Sequence, residues 1–149
     1  MIILDTNVLS ALMVEPVDAR VVAWLDRQPR VSIWTTSISV LEIRFGLATM
    51  ADGRRRQSRV SAFEHLIDDK LEQRVADFDR SAAEATAVLM AARQAAGKSG
   101  DLRDSMIAGI VLAQRATFAT RNVKHFSDIE AAVIDPWSAG KSSTASRSK

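Results

Sequence analysis

The sequence contains no cysteine and no tyrosine, two histidines, and aromatic residues at only 5% of its 149 positions. Without cysteine, neither a disulfide framework nor a thiolate metal centre can form. With His65 and His125 as the whole histidine complement, no Ser-His-Asp or Cys-His set competes as a nucleophilic site. Trp24 and Trp34 sit on apolar patterns that read as core, so few rings remain to stack on bases and no base-reading device is evident. No stretch approaches the roughly 18 apolar residues of a membrane span, and the start, Met-Ile-Ile-Leu-Asp, has no basic leader. These absences predict a cytoplasmic protein with no membrane association.

What is present is an ordinary globular balance, with 47% hydrophobic and 26% charged residues in a length suited to one domain. The pI near 9.4 invites a nucleic-acid reading. The segment 138–149, however, carries Lys141, Arg147 and Lys149 with no acid, a charge of +3. Subtracting this from the total of +2 leaves −1 for residues 1–137. The basicity therefore belongs to the Ser-rich end, which reads as a disordered basic tail following a single domain over 1–137. Any case for nucleic acid must rest on local charge.

Short apolar runs alternate with helical stripes. Strands are expected at Ile2–Leu4, Val31–Trp34, Val75–Phe78, Thr117–Thr120 and Ala132–Ile134, with Asp-Thr-Asn after the first run reading as a turn. Helices are expected over Val17–Asp26, from Ser39, over Gly53–Gln73, Ser81–Ala96 and Asp101–Gln114, with a short one at Val123–Phe126. In the second of these, Ile38, Leu41, Phe45 and Ala48 lie on or near one face. Such alternation predicts an α/β fold with a central, mostly parallel sheet flanked by helices.

In open parallel sheets ligands bind beyond the carboxyl ends of the strands. Asp5 follows the first strand and Asn122 follows Thr117–Thr120. Ser39-Val-Leu-Glu42 has the form of a capping box, and Asp101-Leu-Arg-Asp104 resembles it, so Glu42 and Asp104 would each occupy a first helical turn. Taken singly, Glu42, Asp101 and Asp104 are ordinary caps or dipole partners. Asp5 gains nothing from its place after a buried run unless a turn or a cation satisfies it. Together these residues are drawn from distant parts of the chain and can meet in one cleft. Carboxylates about 4 Å apart repel by roughly 4 kcal/mol at an effective dielectric near 20. A cation would neutralise them, and oxygen-only ligands point to a hard ion, Mg²⁺ or Mn²⁺, suited to phosphodiester hydrolysis.

Five segments carry a resemblance to a known family: Ile3-Leu-Asp-Thr-Asn-Val-Leu-Ser10, Ser37-Ile-Ser-Val-Leu-Glu-Ile-Arg-Phe-Gly46, Asp104-Ser-Met-Ile-Ala108, Ala119-Thr-Arg-Asn-Val-Lys-His-Phe126 and Ile134-Asp-Pro-Trp137. In their order and spacing the chain resembles PIN-domain ribonucleases of the VapC toxin family, including the FitB-like branch. The resemblance implies a PIN-domain fold with Asp5, Glu42 and Asp104 as the metal-holding acids and Asn122 at a fourth catalytic position. That position is often an acid in PIN domains, so Asn122 puts a second metal ion in doubt. Thr6 and Thr120 match supporting positions, and Asp101 is a further candidate for outer support.

The activity implied is that of a toxin of a type II toxin–antitoxin module, an endoribonuclease using Mg²⁺, with Mn²⁺ as a substitute. The resemblance implies attack on phosphorus by a metal-activated water, without a covalent intermediate. Implied partners are the RNA substrate, a cognate antitoxin lying across the cleft, and a second copy of the chain. Leu41, Phe45 and Met50 offer an apolar helical surface that suits either such a homodimer interface or the core. Candidate RNA contacts are Arg44, Arg103, Arg121 and Lys124, together with Arg55 and Arg59 from the Arg54-Arg-Arg56 cluster, which reads equally as a solvated helix start.

Two other readings compete. A non-catalytic PIN-fold module that binds RNA or antitoxin is favoured only by Asn122. Phosphoryl transfer through an aspartyl intermediate would need a second acid two residues after Asp5, where this chain has Asn7.

Overall fold

A computed structural model describes residues 1–139; the expected tail from residue 140 onward lies outside the described residues. Five short strands form one sheet: β1 (Ile2–Leu4), β2 (Ile33–Thr36), β3 (Val75–Ala76), β4 (Thr117–Ala119) and β5 (Val133–Ile134). Their order is β3-β2-β1-β4-β5, and every neighbouring pair is parallel. Strands covered on both faces read as unbroken apolar runs. This accounts for Ile2-Ile3-Leu4, which pairs Ile2 with Ile33 on one side and with Thr117 on the other.

The helices are α1 (Thr6–Met13), α2 (Ala19–Asp26), α3 (Ser37–Thr49), α4 (Arg54–His65), α5 (Arg80–Ala95) and α6 (Leu102–Gln114). Because side chains alternate across a strand, adjacent residues of β1 enter different layers. Leu4 packs with Val8, Leu9, Val21, Trp24 and Phe63 on one side of the sheet. Ile3 packs with Ile107, Ile110, Phe118 and Phe126 on the other. Phe118 and Phe126 meet edge to face with centroids 4.8 Å apart, fixing the short 3₁₀ turn Val123–Phe126 beneath β4.

Several sequence expectations are corrected here. The segment after β1 is not a turn but α1. The spacing of Val8, Leu9, Leu12 and Met13 already fits a helical stripe, and Asp5 provides its N-cap. The second strand lies two residues later than expected, because Arg30–Ser32 form a 3₁₀ turn that leaves Val31 76% exposed. The expected long helix from Gly53 is α4 followed by a wider turn over Leu66–Lys70, after which Glu72 and Gln73 take positive φ values that stop it. On α3 the core face is Ile38, Ile43 and Leu47, whereas Leu41 and Phe45 point outward at 53% and 62% exposure. Met50 packs partly against the core.

Helices α5 and α6 lie unusually close. A Cβ placed on Gly109 would stand 1.8 Å from Thr86 Oγ1 and 2.7 Å from the carbonyl oxygen of Ala82. The Thr86 hydroxyl is itself committed, donating to that carbonyl at 2.7 Å. This approach sets where α6, and therefore Asp104, sits relative to the sheet. Gly109→Ala is expected to cost about 1–3 kcal/mol by overpacking, read as a lower urea midpoint with unchanged slope. A neutral substitution would contradict the close packing.

Candidate metal centre

The strand order reverses between β1 and β4, the place where an open α/β sheet leaves a crevice at its carboxyl edge. Asp5 follows β1 and Thr120 follows β4, so both side chains emerge there. The Asp5 carboxylate is 5% exposed and is held by three groups. Its Oδ1 accepts from the Thr6 amide at 2.7 Å. Its Oδ2 accepts from the Thr120 hydroxyl at 2.7 Å and from Asn7 Nδ2 at 3.4 Å. The start of α1 and the Thr120 hydroxyl thus satisfy part of this acid. Burial still dominates: it pushes the Asp5 carboxyl up to about 6, against the pull of the Thr120 and Thr6 hydrogen bonds, with the charges of Asp104 and Glu42 adding to the rise.

Glu42 reaches the same place from α3. The capping-box expectation fails: Thr36 is the N-cap, its hydroxyl accepting from the Ser39 amide, so Glu42 lies in the second turn and not the first. It is held from across the cleft, where the Thr6 hydroxyl lies 3.0 Å from both Glu42 Oε1 and Ser39 Oγ. Asp104 comes from the first turn of α6, where Asp101 caps the helix by accepting from the amides of Arg103 and Asp104. Asp101 thus does the plain capping work, and its negative charge also bears on Asp104. Burial raises the Asp104 carboxyl, Asp101 adds to this, and His125, Arg93 and Arg103 oppose it.

Asp5, Glu42, Asp104 and Asn122 line one open cavity of about 380 Å³ together with Thr6, Asn7 and Ser10. The expected convergence of four distant residues on one cleft is therefore seen. Among the described residues no three acids close into a ready-made cage. The donor set is wholly oxygen, and one of its carboxylates is largely removed from water, a combination that fits a hard divalent cation.

Asn7 and Ser10 were missed by the sequence reading. Asn7 Nδ2 lies 3.3 Å from Thr120 Oγ1, while its Oδ1 accepts from the Arg121 amide at 3.2 Å, tying the ends of β1 and β4 together. The helical spacing of Val8, Leu9, Leu12 and Met13 was the available signal, since it places Thr6 and Ser10 on one face of α1.

The expected RNA contacts divide. Arg59 and Arg103 line a cavity of about 360 Å³ that shares Thr6, Ser10 and Glu42 with the acidic one. Lys124 lines a third cavity, which shares Asp104. Arg44 turns instead to α4, 3.8 Å from Glu64 and over the Phe63 ring at 4.8 Å. Arg121 lies over the Trp137 ring at 4.9 Å. Arg55 is exposed and lines none of these three cavities. Trp24 is buried, as expected.

A family model described as PIN domain matches residues 2–132. A VapC ribonuclease of Sinorhizobium fredii is 37% identical over 92% of this chain and 98% of its own length. Toxin FitB of Neisseria gonorrhoeae is 31% identical over 92% of this chain and 99% of its own. The solved structure of FitAB bound to a DNA fragment superimposes with a TM-score of 0.80 at 30% identity, covering 92% of this chain and 96% of that one.

The titration of Asp5 yields a test independent of activity. Its folded-state value, near 6, exceeds the ordinary 3.8, so the fold favours the protonated acid. Stability is lost as pH rises from about 4 to about 6, and the cost is complete above that. A gap of about two pH units corresponds to about 3 kcal/mol. In chelator-treated protein, Asp5→Asn, which can still cap α1, is expected to raise the unfolding midpoint at pH 7.5 and to leave it nearly unchanged at pH 4. A lower midpoint at pH 7.5 would contradict the burial argument.

Proposed function

This chain belongs to the PIN-domain family, in the branch of VapC- and FitB-type proteins, and on that premise we propose that it is a divalent-metal-dependent endoribonuclease acting as the toxin of a toxin–antitoxin pair. The observation that carries the reading is the shared cavity, where Asp5, Glu42 and Asp104 arrive from three separate elements and Asn122 adds a neutral amide. Asp5, Glu42 and Asp104 would hold Mg²⁺, or Mn²⁺ in its place. When bound, the ion offsets charge on the phosphate and the leaving oxygen and acidifies a water.

The remaining tasks fall to the chain itself. Thr120 and the Thr6 amide orient Asp5, and the Thr6 hydroxyl orients Glu42. Among the residues lining the acidic cavity, carboxylates are the only side chains basic enough to accept a proton near neutral pH. Proton acceptance from the attacking water therefore falls to one of them. Asn122 contributes no charge, which favours one tightly held ion over two.

RNA as substrate is supported by the relative named a VapC ribonuclease, and the toxin role by the relative named toxin FitB. We propose a cognate antitoxin as the silencing partner, lying across the cleft. A homodimer is supported by Leu41 and Phe45, which α3 leaves exposed. Among the described residues no helix is long and apolar enough to cross a membrane, and the proposed place of action is the cytoplasm.

The test is to map RNA ends in cells expressing the chain or its Asp5→Ala variant, with purified protein assayed in parallel. Asp5→Ala, Glu42→Gln and Asp104→Asn are each expected to lower cleavage on the order of 100-fold or more. Chelation should abolish cutting and Mg²⁺ restore it. Cuts that persist in Asp5→Ala would contradict the mechanism.

A further inference from the structure

The acidic cavity is bordered on its Asp104 side by a larger one, of about 450 Å³, between the loop that ends α5 and the turn that follows Asn122. Its wall carries Lys98 from the loop and Lys124 from the turn. Among the described residues neither lysine forms an ion pair, although three carboxylates, Asp101, Asp104 and Asp128, line the same space.

The reason lies in what those acids already do. Asp128 accepts from Arg93 Nε at 2.8 Å and from Arg93 Nη2 at 2.9 Å. The same guanidinium donates to Ser105 Oγ at 3.1 Å and to the His125 carbonyl at 3.3 Å. Arg93 is 8% exposed, so this pair forms the floor of the cavity, with Arg93 as the main partner of Asp128 and the Lys98 charge a lesser influence on it. Asp101 is committed to capping α6 and lies 3.9 Å from Arg103. Asp104 is turned to the acidic cavity as well. Two exposed ammonium groups are left facing a cavity that continues from the proposed reaction centre and whose wall also carries His125.

From this placement we infer that the cavity between residues 98–101 and 123–128 is a phosphate subsite for the RNA strand, with Lys98 and Lys124 holding a backbone phosphate next to the one that is cut. The inference rests on the nuclease reading and adds to it the direction in which the strand leaves the acids. Lysine is suited to the task as a mobile point charge that follows phosphate without reading the base. The two lysines therefore contribute affinity without sequence preference. Arg59 and Arg103 line the cavity that shares Glu42 with the acids, so positive charge also borders the site there.

The test measures binding apart from cleavage. In an Asp5→Asn background, a fluorescent single-stranded RNA is titrated at several salt concentrations with Lys98 and Lys124 intact or both replaced by alanine. Both side chains are on exposed residues, so the fold tolerates their removal. Each phosphate neutralised on a single strand contributes about 0.7 to the slope of log affinity against log salt, so loss of the one held by both lysines is expected to make it shallower by about 0.7. Lys98→Arg with Lys124→Arg should keep the original slope, and Lys70→Ala, remote from the cleft, should not alter it. An unchanged slope in the double alanine variant, while the parent chain cleaves RNA, overturns the subsite alone. A parent chain that binds this RNA but never cuts any overturns the nuclease reading, and the slope then decides the subsite by itself.

Discussion

A carboxylate taken out of water beside two others sets the terms for the rest of this molecule. Asp5 leaves β1 at the crevice where the strand order reverses, almost fully enclosed, with the fields of Glu42 and Asp104 opposing its ionisation. A fold can keep such a group only by giving it fixed donors, and it does so with the first amide of α1 and the Thr120 hydroxyl. Those bonds do not offset the burial, since the acid still titrates near 6. The deficit is what a divalent ion would relieve. A structural cap alone would have no reason to be surrounded by further acids.

The surrounding architecture reads as support for that arrangement. The near-contact of α5 and α6 at Gly109 places Asp104, and the Arg93–Asp128 pair fastens the turn after Asn122 to the start of α6. Thr6 links Glu42 to the other wall. Positive groups line the cavities that adjoin the acids, Arg59 and Arg103 in one and Lys98 and Lys124 in another, so local charge suits a polyanion although the chain up to residue 137 is slightly acidic.

Much of this was legible in the sequence. Buried parallel strands announce themselves as apolar runs, so β1 and β4 were placed to within a residue, and Asp5 and Asn122 with them. The Asp101 cap and the first-turn position of Asp104 follow from local chemistry that tertiary contacts do not alter. What was not legible depends on tertiary partners. Glu42 resembled a capping acid because Ser39 stands three residues before it, yet Thr36 takes the cap and Ser39 turns inward toward Thr6. Helix α1 was read as a turn because the Asp-Thr-Asn start suits both. Lys98 carried no signal at all, since its role depends on a loop folding back beside residues 124–128. Arg44 and Arg121, candidate RNA contacts in the sequence, lie over the rings of Phe63 and Trp137, neighbours that the sequence does not show.

The claim on which everything else rests is that the three carboxylates share one cation. The most direct measurement is anomalous diffraction from crystals of the protein grown with Mn²⁺. A single strong peak among Asp5, Glu42 and Asp104, lost in Asp104→Asn, is the predicted result. No peak in that cavity at saturating Mn²⁺ would contradict the account, as would a peak confined to Asp101 and Asp128.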